Sequence, residues 1–147
     1  MSRLPRGERG AIGGMEMLPL GFLVFVVGSL LIVNAWTVVD SWLAVSAAAR
    51  EGARTYVEAD PDEAWPEARS RILEVMDNYG RGGRALDPTP PAVDFERCSL
   101  VTITASYDLA FINLPFVGGF GALTNIEASH SERIDPYREG PFEGSCA

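Results

Sequence analysis

The chain has no lysine, and of its 147 residues one is histidine and two are cysteine. Without lysine there is no Schiff-base chemistry and no P-loop for phosphate. One histidine and two cysteines cannot supply the four ligands of a structural zinc site. The carboxylates show no calcium-loop spacing, and no nucleophile elbow precedes a helix. Asp94 and Glu96 share a face of a short extended stretch, as acidic pairs on exposed strands commonly do. His130 likewise stands on a strand face, with no recognisable nucleophile elbow to serve it. The residues therefore point to no enzyme and to no cofactor or metal. All 12 basic residues are arginines scattered among 20 carboxylates, for a net charge of −8. A phosphate backbone needs a clustered basic face, so nucleic acid is not an expected partner.

Charge is also missing from the whole stretch between Glu16 and Asp40. Met17 to Val39 makes about 34 Å of helix, enough to cross a bilayer core. A buried core helix is usually shorter, and so short a chain could not surround an all-apolar rod of this length. The reading is one membrane span, followed by enough chain for one small domain.

Arg3, Arg6 and Arg9 precede the span, so the positive-inside bias keeps the N-terminus in the cytoplasm and places the rest outside. Cys98 and Cys146 then fall on the oxidising side, where a disulfide between them is permitted; two buried thiols are the alternative. Glu16 stands at the cytoplasmic edge of the span with no basic neighbour in its own chain. A carboxylate at membrane depth calls for a cation. A cut near Gly10 would create an α-amino group that a neighbouring chain could offer; the alternative is a solvated Glu16 among headgroups.

The leader Arg6-Gly7-Glu8-Arg9-Gly10, a small-residue step, Glu16, the span, and then Ala47-Ala48-Ala49-Arg50-Glu51-Gly52-Ala53-Arg54 together resemble the TadE-like family. These are pilin-like, or pseudopilin, components of tight-adherence pilus assembly, related to type IV pilins. The resemblance covers the chain as far as Glu58, with Arg50, Glu51, Gly52 and Arg54 as the most specific residues, and beyond that only the general layout. It implies cleavage by a membrane prepilin peptidase after the leader glycine, with glutamate as the fifth mature residue. It also implies assembly with other pilin-like subunits through the N-terminal helix, on an inner-membrane platform. This chain departs by one position: cleavage at Gly10–Ala11 makes Glu16 the sixth mature residue, whereas a cut after Ala11 makes it the fifth. The order of expectation is Gly10–Ala11, then Ala11–Ile12, then no cleavage. A conventional signal peptide ending among Ala44 to Ala49 is a further possibility, but its apolar region would be only about 7–15 residues.

Between Asp40 and Glu58 there is no proline, which predicts one rod of about 40 residues through the span and beyond it. Ala44, Ala48, Gly52 and Ala53 form a small-residue face. It suits either close packing with neighbouring helices or packing on the chain's own outer domain. Trp36 and Trp42 stand where aromatic rings anchor a helix at an interface.

Asp60-Pro61-Asp62-Glu63 predicts a helix start, with Asp60 as the cap and Glu63 completing a capping box. Trp65, Ala68, Ile72, Met76 and Tyr79 predict one buried stripe, ending at Gly80 as a left-handed cap. Three strands are expected: a short one at Val93 and Phe95, a clear one at Leu100 to Phe111, and one at Thr124 to Ile134, with Cys98 in a tight turn between the first two. The apolar, glycine-rich Ile112 to Ala122 would cover the open end of the core, or touch a membrane or partner.

The predicted class is α+β: a long N-terminal transmembrane helix continuing outside, a second amphipathic helix, and a small antiparallel sheet of about three strands. The segments are a leader at 1–10, a span at 11–39, a helix extension at 40–58 and an outer domain at 59–147. The expected role is a non-enzymatic pilin-like subunit in the cell membrane, or in a surface pilus once assembled. The alternative is a permanently anchored outer binding or regulatory domain that never enters a filament.

Overall fold

One helix organises the molecule, and every other element packs on its second half. The structure, a computed structural model, describes residues 17–82, 88–109, 124–139 and 146. Helix α1 (Met17–Glu58) runs unbroken for 42 residues, the single rod predicted. Helix α2 (Ala64–Asn78) and strands β1 (Leu100–Leu109) and β2 (Thr124–Arg133) follow. Both strands and α2 pack on α1, so the fold is α+β with α1 as the shared element.

The packing follows from side-chain size along α1. Ser41, Ala44, Val45, Ala48, Ala49, Gly52, Ala53 and Tyr56 are buried, recurring every three or four residues on one broad stripe. Their small volume lets the backbones approach. A Cβ added to Gly52 would lie 2.5 Å from Cγ1 and 2.6 Å from Cδ1 of Ile72, so α2 crosses α1 at a point with no room for a methyl group. Ahead of Thr37 no residue of the helix is buried. Its most apolar window has mean hydropathy 2.3 with none of it buried, making α1 long and apolar enough to cross a membrane.

Helix α2 departs from its predicted start. It begins at Ala64, and Glu63 at the cap position makes no side-chain capping bond. The backbone resolves this end by itself: the Glu63 amide donates to the Asp60 carbonyl at 3.0 Å. The Asp60 carboxylate is left to approach Arg138, at 3.8 Å. The buried stripe is Ala64, Ala68, Ile72, Val75 and Met76. Trp65 only flanks the core, and Tyr79 is exposed because the chain turns there. The helix end is as predicted: Gly80 has φ 69. The Gly80 and Arg81 amides donate to the carbonyls of Asp77 and Met76, the reciprocal bonds of a Schellman cap.

Strands β1 and β2 pair antiparallel, with Ile103 opposite His130, Ala105 opposite Ala128 and Tyr107 opposite Ile126. Val101, Ile103, Ala105, Tyr107 and Leu109 are buried, the alternation expected of a sheet covered on one face. Among the described residues the sheet has two strands, not three. The short strand expected at Val93 and Phe95 is absent. Pro88, Pro90 and Pro91 precede it and cannot donate to a ladder, and only Thr89 bridges to Thr104. Phe95 instead packs on Tyr56, with ring centroids 5.4 Å apart. Cys98 does lie in a tight turn, the Ser99 amide donating to the Glu96 carbonyl at 3.2 Å, but with no strand among the described residues before it the turn joins no hairpin. Cys98 has φ 66 and its amide donates to the Ile134 carbonyl, while the Ile134 amide donates to Ser99. Two residues thus face one across the ladder, a β-bulge whose left-handed position is usually glycine.

Candidate functional site

The candidate site is the bare half of α1 together with the junction where the head begins. Leu18, Phe22, Phe25, Ile32 and Trp36 are each about 70 % exposed, an apolar surface that no part of the described chain covers. Such a surface calls for lipid or another protein. Trp36 and Trp42 are both exposed on either side of the junction, as amphipathic anchors would be.

At the junction three charged or polar side chains lock together. The Schellman turn at Gly80 returns Arg81 toward α1, where Nη2 donates to Asp40 Oδ2 at 2.6 Å and Nε to Ser41 Oγ at 3.1 Å. Nη1 donates to the Tyr79 carbonyl at 3.0 Å. The Arg81 side chain is only 13 % exposed against 43 % for Asp40. Asp40 is the first charge after the apolar run, so the head is fastened at the level where that run ends. Beside the latch lies an open cavity of about 300 Å³, lined by Thr37, Ser41, Gly80, Arg81, Tyr107 and Leu109 among others.

The far end of α1 is held from the tail. Arg138 donates to the carbonyls of Val57, Glu58 and Ala59, which the helix itself leaves without partners. The last turn of α1 has no basic residue of its own, so this guanidinium supplies the positive charge that a helix C-terminus favours. It also stands 5.3 Å over the Phe95 ring. Tyr56, buried beside Phe95, has its phenol pKa pushed up by burial and then by the charge of Asp94.

Arg50, Glu51, Gly52 and Arg54 lie in the C-terminal quarter of α1. Gly52 is the contact with Ile72, and Ala48 and Ala53 are fully buried beside it. The small-residue face is therefore covered by the chain's own head. Arg50 is exposed, and Arg54 pairs with Glu58 at 2.9 Å. The pKa of Arg54 is raised by that hydrogen bond and then by the charges of Glu58 and Glu51. Glu51 reaches Arg71 at 4.0 Å. These are surface pairs, which stabilise little. On the sheet, His130 and Glu132 approach to 3.5 Å.

Cys98 and Cys146 are disulfide-bonded, with Cα atoms 5.6 Å apart. Among the described residues no three His, Cys, Asp or Glu are grouped to hold a metal ion. Gly10, Ala11 and Glu16, and the Ile112 to Ala122 connection, lie outside the described residues. Sequence reasoning missed the Arg81 latch and the Arg138 cap. The first had a signal in an arginine directly after a capping glycine; the second had none. No family model, curated protein or solved structure matches the chain.

Proposed function

We propose that this chain is a non-enzymatic, pilin-like subunit of a tight-adherence type of pilus, anchored by the first half of α1. The observation that carries this reading is the division of one continuous helix. Its N-terminal part is apolar and bare, and its C-terminal part is the spine of a small α+β head. Such a subunit has its N-terminus in the cytoplasm, its head outside, and the bare rod available to lipid before assembly and to like rods after it. The leader is removed at Gly10–Ala11 by a prepilin peptidase, and Glu16 then meets a neighbour's new amine on the assembly platform. The test is the N-terminus and mass of the protein purified from its native membrane. Loss of the first ten residues supports the reading. A mature chain beginning near Ala49 would leave a secreted head and sink it.

A second reading is favoured by one observation: Ala48, Gly52 and Ala53 are already occupied by the chain's own head, leaving only the apolar segment for neighbours. In this reading the protein stays anchored as an outer binding or regulatory domain. Cross-linking through Val33→Cys separates the two. A ladder dependent on the secretion machinery supports assembly, and a monomer supports the permanent anchor.

A further inference from the structure

We infer that the cavity beside the Arg81–Asp40 latch is a seat for the phosphodiester group of a phospholipid in the outer leaflet. The inference rests on the membrane reading above and deepens it by naming a ligand for the junction.

Three observations converge. A guanidinium carries five N–H donors, and Arg81 commits three of them, to Asp40, Ser41 and the Tyr79 carbonyl. Two are left without an acceptor among the described residues, on a side chain that is largely buried and lines the cavity. Charge-assisted bonds from a guanidinium to phosphate oxygens are the strong use of such donors. Second, the cavity measures about 300 Å³, within the range of small-ligand clefts. Thr37 and Ser41 form its α1 wall, the Thr37 hydroxyl donating to the Val33 carbonyl at 2.9 Å and the Ser41 hydroxyl accepting from Arg81 Nε, so the donors left for a ligand are those of Arg81. Third, its level is fixed by the chain. Thr37 belongs to the apolar run and Ser41 lies just past its end, with exposed Trp36 and Trp42 on either side. In a bilayer that level is the headgroup layer. Asp40, more exposed than Arg81, stands on the solvent side of the pair, where a headgroup ammonium could meet its carboxylate. A zwitterionic headgroup such as phosphoethanolamine matches both charges.

The test uses the full chain, purified in dodecylmaltoside, stripped of lipid and titrated with dihexanoylphosphatidylethanolamine below its own micelle concentration. Binding is read from the backbone amide resonances of Thr37 and Gly82. The expected result is saturable shifts at both, weakened about tenfold by Arg81→Gln and by Thr37→Phe, with inorganic phosphate producing neither. Thr37→Phe fills the cavity from the apolar run without touching the latch bonds, so it decides the matter if Arg81→Gln fails to fold. Flat titration of the wild-type chain, or equal affinity in Thr37→Phe, overturns the seat. Equal shifts with inorganic phosphate also overturn it, since the site then takes a free anion. A carbonate wash of native membranes keeps the two claims apart. Release of the protein sinks the membrane reading, whereas retention with a flat titration sinks the seat alone.

Discussion

Arg138 donates to the carbonyl of Ala59 at 2.6 Å across 79 residues of sequence, so the tail closes the C-terminal end of α1. The same guanidinium bonds Val57 and Glu58 and covers Phe95, joining helix end, loop and tail at one point. Replacing Arg138 by Gln should destabilise the head by about 1.5–3 kcal/mol, the usual range for hydrogen bonds to a charged group. Arg138→Lys, keeping charge without the fork, should recover part of it. Urea unfolding followed by tryptophan fluorescence measures both; an unchanged midpoint in Arg138→Gln would show the cap to be idle.

The contact at Gly52 leaves no space for a side chain. Gly52→Ala gains about 1 kcal/mol in helix propensity but forces a methyl into Ile72, and overpacking of this kind costs about 1–3 kcal/mol. A net loss of stability is expected, partly restored when Ile72→Val removes Cδ1 in the same chain. The two substitutions should be non-additive in a double-mutant cycle. Additivity would mean that α2 simply moves away.

Tyr56 gives the head a defined alkaline limit. Its folded-state pKa lies above the ordinary phenol value, chiefly through burial and secondarily through Asp94. Between the unfolded and folded values the native state holds the proton more firmly than the unfolded chain. Stability is therefore complete below about pH 10 and is lost as pH rises from there through the folded value. Tyr56→Phe should flatten this decline. Stability measured from pH 8 to 11.5 for both proteins decides it, since equal slopes would mean that the phenol titrates as if exposed.

The disulfide closes a loop across a sequence separation of 48, which in the chain-entropy model stabilises by about 4 kcal/mol. Reduction should lower the unfolding midpoint accordingly. Cys98 also carries a left-handed backbone at φ 66, which disfavours most side chains by about 1–2 kcal/mol. With the bridge absent in both, Cys98→Gly should therefore be more stable than Cys98→Ser by about 1 kcal/mol. The reverse order would place the bulge elsewhere in the reduced protein.

Elements governed by local pattern were legible from residues alone. The uncharged run and the lack of proline define α1, Gly80 defines the end of α2, and alternation defines the buried face of β1. Errors arose where a distant group competed with a local one. Asp60 reads as a cap, but a backbone bond serves that end, and its carboxylate lies near a tail arginine. Val93 and Phe95 alternate like a strand, but the prolines before them withhold donors and Phe95 finds Tyr56. At the candidate site the bare apolar surface was evident from composition. The latch was not, because it pairs Asp40 with Arg81 through a turn whose direction only the folded chain supplies. The small-residue face was read with two destinations, since size alone does not say which helix comes close.

The unbroken course of α1 makes the apolar rod and the head one mechanical piece. A helix turns by about 100° for each residue, so the azimuth at which the head faces its surroundings is set by a count of residues and not by a joint. Inserting a single alanine after Val33 would leave the rod apolar and the head's own contacts intact. It would nonetheless swing the whole head by more than a quarter of a revolution about the rod.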